Sequence, residues 1–122
     1  MRLAAILMAG AVLLPAGAAM AANACVRPEP PAVLDGAAAT MDQLLALKAQ
    51  VAGFIATSDT YQTCMEKDLA AQRAAAKAAR TKFPEETAKA IMSQVDANQA
   101  DKEKAGAGFN AAVKAYKAAH PA

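Results

Sequence analysis

The sequence predicts an all-α fold: a long antiparallel two-helix hairpin with an extended, Pro-rich N-terminal arm pinned to it by a disulfide. Three observations carry this. Two long segments place their apolar residues in alternating steps of three and four, the spacing of a single helix face. Around Pro84 the pattern is interrupted once, which leaves two helices rather than one. The 122-residue chain also holds two cysteines, one just before a proline cluster and one inside the first helical segment.

The elements follow in chain order. The opening MRLAAILMAGAVLLPAGAAMAANAC has one positive charge at Arg2, an apolar run from Leu3 to Leu14, Pro15, and then small residues. This is the layout of a secretory signal peptide, assigned to residues 1–21, with Ala19-Met20-Ala21 as the small-x-small cleavage signal and Ala22-Asn23-Ala24 as a second register. The apolar run falls short of the ~20 residues that span a bilayer, so no stable transmembrane segment is expected after cleavage. A lipidated Cys25 is the alternative. It would tether the protein to a membrane and leave Cys64 without a partner, although Ala22 stands where lipoprotein signals place a larger aliphatic residue.

The mature chain is then about 100 residues, one small domain. The formal net charge is +2, one unit of which is Arg2, and the remaining charges are interspersed. Neither a basic stripe for nucleic acid nor an acidic tail is present. Much of the apolar content is alanine, so large core residues are few. A domain this size with a thin core needs a disulfide or an oligomer interface to help it.

Residues 22–39 form the arm. Pro28, Pro30 and Pro31 fix φ and remove backbone donors, which makes the segment extended before a turn at Asp35-Gly36. Thr40-Met41-Asp42-Gln43 has the form of a capping box, with the Thr40 hydroxyl and the Gln43 side chain each reaching the other's backbone N–H, and Asp42 in the dipole-favoured first turn. Leu44, Leu47, Val51, Phe54, Ser58, Tyr61, Met65 and Asp68 then keep a 3-4-3-4 step, widened by Leu45, Ile55 and Leu69. Helix 1 is expected over about 41–80, its end an Ala-rich stretch of high helix propensity.

Pro84, followed by Glu85 and Glu86, marks the start of helix 2, with Thr81 as the nearest capping hydroxyl. Ala88, Ile91, Val95, Asn98, Lys102, Ala105, Phe109, Ala112 and Tyr116 form its stripe, and the helix runs to about residue 118. A short connection makes the helices antiparallel. With the turn centred near residue 82, Phe54 is expected near Phe109 or Asn110, and Ser58 near Gly106. Gly106 and Gly108 suggest close backbone approach or a local kink, or merely a weak spot in the helix.

Cys25 and Cys64 make an even count in a chain read as exported, where disulfides persist. From Thr40 to Cys64 a helix climbs ~36 Å. The arm can cover ~45 Å in polyproline form, enough to fold back and reach. The expected bond anchors the arm on helix 1, with Tyr61 packing over it one turn away. No C-x-x-C is present, so the bond reads as structural.

Cys25, Pro28, Pro30, Pro31, Asp35-Gly36, Thr40-Met41, Val51 and Tyr61-Gln62-Thr63-Cys64-Met65 together resemble small exported proteins of Gram-negative bacteria that carry a Pro-rich arm and a Tyr-x-x-Cys in the first long helix. The resemblance covers about residues 25–65 and implies a location and an architecture, with no activity attached.

Catalytic machinery is not expected. His120 is the single histidine and sits in a terminus that would fray, so neither a Ser-His-Asp nor a Cys-His arrangement is built. Met41 and His120 would meet at the open end of the hairpin as a weak haem pair, but there is no C-x-x-C-H, two helices enclose little, and Met41 is well explained as a core residue. Clustered metal ligands are lacking, and no cofactor is assigned. Two classes of function remain. One is a non-enzymatic protein of the periplasm or cell envelope, acting through association with itself or another envelope protein, with the Ala-rich stretch from Leu69 to Arg80 as a docking face. The other is a carrier of haem or a small apolar ligand held between the hairpin and the arm.

Overall fold

The computed structural model of the protein describes residues 25–122, so the signal-peptide assignment lies outside the described residues. Two helices follow an extended arm: α1, Met41–Ala78, and α2, Glu85–Ala119. They pack side by side as an antiparallel hairpin, and no strand occurs among the described residues.

α1 begins where its cap dictates. Thr40 is extended, its hydroxyl accepts from the Gln43 N–H at 3.2 Å, and its own N–H donates to the Gln43 side chain at 2.9 Å. Two N–H groups that the first turn leaves over are thereby satisfied, and loss of such a cap costs about 1 kcal/mol.

The far end differs from expectation. α1 stops at Ala78 in a Schellman arrangement: the Thr81 N–H donates to Ala76 O at 2.9 Å, the Arg80 N–H to Lys77 O at 3.1 Å, and Arg80 takes φ 54°. This motif normally carries glycine at the left-handed position, and an arginine there conceals the stop. Thr81 does not cap α2. Its hydroxyl donates to Ala76 O, and α2 starts from Pro84 without a side-chain cap.

Residues 81–84 then lie outside both helices, with Pro84 extended, and carry Phe83 against the cluster formed by Tyr61, Met65, Leu69, Ala88, Ile91 and Val95. Arg73 lies over the Phe83 ring at 5.7 Å and pairs with Glu85 at 3.8 Å. α2 therefore starts beside Arg73, well down α1, and leaves the last turns of α1 overhanging. The register is corrected accordingly. Ser58 faces Asn98 rather than Gly106, and Gln62 bonds both Asn98 and Gln99.

The stripe of α1 holds closely: Leu44, Leu47, Val51, Phe54, Ser58, Tyr61 and Met65 are buried, Asp68 is half-buried, and Leu69, which widens the stripe, is buried. Its widening by Leu45 does not, since Leu45 is exposed, and Met41, which could have been core, is exposed as well. On α2, Ala88, Ile91, Val95, Asn98 and Ala112 are buried.

The polar interruptions of the two stripes face one another. Ser58 and Asn98 are both 0% exposed, Asn98 donates to Ser58 Oγ at 3.1 Å, and Gln62 donates to Asn98 Oδ1 at 2.9 Å. The half-buried Lys102 sends its ammonium to Asp59. Buried amides and hydroxyls that find partners cost little, whereas orphaned ones cost the full desolvation penalty. This polar belt separates an apolar cluster at the turn end from one at the open end.

Candidate functional site

The arm gives the hairpin two unlike faces. It is fastened at three points. The Cys25–Cys64 disulfide joins it to α1 with a Cα–Cα distance of 5.6 Å, and Cys25 packs against the cluster that contains Tyr61. The Tyr61 hydroxyl donates to the Gln94 side chain at 3.3 Å, so the ring bridges the bond's surroundings and α2. Arg27 donates to the Asp101 carboxylate at 2.6 Å, tying the arm to α2.

The third lies at the turn. The Asp35 side chain accepts from the Ala37 N–H at 3.0 Å, the side-chain bond that makes aspartate a turn former. Gly36, buried, then lies directly against the backbone of Ala112: a Cβ built there would sit 2.5 Å from its carbonyl carbon and 2.7 Å from its Cα. Ala39 and Leu34 complete the open-end cluster from the arm side. The close approach in this molecule is therefore at Gly36, not at Gly106 or Gly108, where an added Cβ meets nothing within 4 Å.

Cys25 is bonded to Cys64, and a sulfur in a disulfide has no valence for a lipid thioether, so the bond and lipidation of Cys25 exclude each other.

Between arm and helices lies a cleft of about 170 Å³, lined mainly by apolar groups of the arm, α1 and α2, with Asp101 and Lys104 as its charged residues. Ordinary small-molecule pockets hold ~300–1,000 Å³; this one suits a single ring or a short chain and is too small for a porphyrin. Neither residue of the weak haem pair lines it. Met41 is exposed, while His120 stacks on Tyr116 of its own helix with centroids 4.2 Å apart and places Nδ1 3.0 Å from Tyr116 O.

The opposite face carries no arm. Met41, Leu45, Ala52 and Ile55 fall on one side of α1, away from the Gln43, Ala46, Gln50 and Gly53 side that faces the arm. Met41 and Leu45 are 52% and 56% exposed, and Ile55 is half-buried. Toward the middle the Lys102–Asp59 pair and the Gln62 bonds interrupt this face with polar groups, and its open end carries Met41 and Leu45.

Among the described residues no group of three or more His, Cys, Asp and Glu could hold a metal ion, and no helix is long and apolar enough to cross a membrane. No protein-family model, curated protein or solved structure matches the chain.

Proposed function

We propose that this is a non-enzymatic protein of the periplasm or cell envelope that acts by protein–protein association, with a second copy or with another envelope protein. Export rests on the sequence of residues 1–21 and on the resemblance carried by the arm and the Tyr-x-x-Cys motif. The disulfide supports it, since such bonds persist in oxidising compartments.

The observation that carries the association reading is the arm-free face, where Met41 and Leu45 stay exposed beside Ile55 at the open end. Two helices alone offer each other only one stripe, and packed domains ordinarily cover a second. Gly106 faces open space, so a partner helix could approach α2 closely there. The Ala-rich end of α1 overhangs α2 but offers only small side chains between Lys and Arg, a weaker anchor than Met41 and Leu45.

Sedimentation velocity over a hundredfold concentration range tests the self-association form. A mass that rises toward a dimer, and fails to rise in Leu45→Glu, is the expected result. A monomer throughout, with no envelope protein cross-linked through a photo-reactive group at position 45, would remove the reading.

The cleft favours a second reading, a carrier of a small apolar ligand. Its volume restricts cargo to something far smaller than haem.

A further inference from the structure

The cleft under the arm has two features that packing alone does not require. The first is Gly108 in its lining. Glycine inside a helix weakens it, and here no compensating reason is present: among the described residues no glycine takes a positive φ, and a Cβ at 108 would meet nothing within 4 Å. The missing side chain leaves the cleft open.

The second feature is charge. Of the two charged residues lining the cleft, Asp101 is already paired with Arg27 at 2.6 Å. Lys104 forms no ion pair with any described residue. An apolar cleft beside one uncompensated ammonium is complementary to a ligand with an apolar body and a single negative charge.

The geometry points to a binding site for small apolar monocarboxylates, the body lying over Gly108 against Leu47, Val51 and Phe109, and the carboxylate paired with Lys104. This rests on the carrier reading and adds the ligand's chemistry to it. Size sets the class: a dry cavity of about 150 Å³ accommodates benzene, so a cleft of about 170 Å³ takes one ring or a chain of comparable bulk. The carboxylate stays at the solvent side because Lys104 is exposed, which avoids desolvating either charge.

Phenylacetate and its neutral isostere phenylacetamide are the probes, titrated into uniformly ¹⁵N-labelled, disulfide-intact protein while amide shifts are followed. Phenylacetate is expected to shift the amides of Leu47, Val51 and Gly108 saturably and to bind more tightly than phenylacetamide. Lys104→Gln should weaken phenylacetate by about 2- to 5-fold, the range for an exposed ion pair, and leave phenylacetamide unchanged. Gly108→Leu, which fills the cleft and favours the helix, should abolish both while the far-UV spectrum and melting temperature show a folded protein.

If neither probe binds the wild-type chain, the carrier reading fails and the site with it. If both bind equally and Lys104→Gln changes nothing, the cleft takes apolar ligands but the carboxylate assignment is wrong. Binding that survives Gly108→Leu would place the ligand elsewhere and overturn the site.

Discussion

The same substitution, glycine to alanine, should have opposite signs at two positions in this protein. At Gly36 the added methyl would lie 2.5 Å and 2.7 Å from the carbonyl carbon and Cα of Ala112, and closer still to its oxygen. All are backbone atoms and none can rotate away. Carbon atoms rest about 3.5–4.0 Å apart, so the turn must lift from α2 by roughly 1 Å. Ala39 and Leu34 lift with it, opening the cluster they share with Leu44, Leu47 and Val51. Overpacking of this kind costs about 1–3 kcal/mol; taking about 2 kcal/mol, the melting temperature falls by roughly 8–16 °C for a domain near 100 residues.

At Gly106 the added methyl meets nothing within 4 Å. There the helix propensity of alanine is gained without a clash, about 1 kcal/mol, and the melting temperature rises by roughly 4–8 °C. Differential scanning calorimetry of both variants, disulfide intact, reads the contrast. A neutral or stabilising Gly36→Ala would refute the close docking of the arm on α2, whatever the result at Gly106.

Replacing both cysteines with serine opens a loop whose ends are 39 residues apart, and on the chain-entropy account costs about 4 kcal/mol; urea denaturation measures it, and a loss below about 1 kcal/mol would mean the arm is held without the bond. Asn98→Ala leaves the Ser58 hydroxyl and the Gln62 amide without their buried partner, an expected loss of about 1–3 kcal/mol. Pairing Asn98→Leu with Ser58→Ala removes both polar ends of their bond and should recover most of that loss. A double-mutant cycle showing no coupling between positions 58 and 98 would contradict the register.

Much of this architecture could be read from residues alone, and the parts that could not have physical causes. The α1 stripe and the Thr40 capping box depend on local spacing and chemistry, which the sequence displays directly. So did the disulfide, because two cysteines and the reach of an extended arm leave one pairing. The helix register depended on where α1 stops, and an arginine at the left-handed position gives no signal that glycine would have given. Phe83 packing back against the turn-end cluster then shifted every cross-helix pair, which is why Ser58 and Asn98, both visible on the stripes, could not be matched beforehand.

The site was less legible than the fold. Arg27–Asp101 and Gly36 against Ala112 join residues distant in sequence across a contact that no periodicity encodes. Gly36 stood out only as half of a turn, and Gly108 only as a close approach or a weak point in a helix, with no cleft beside it. Lys104 was one lysine among many until Asp101 proved to be taken by Arg27.

The most direct measurement is the intact mass of the protein recovered from the cell envelope, with thiols alkylated before and after reduction. A chain lacking about its first 21 residues, which takes up no alkyl group until reduced and two afterwards, is the expected result. A chain that retains residues 1–21, or one whose cysteines alkylate without reductant, would contradict an exported hairpin with its arm pinned in place.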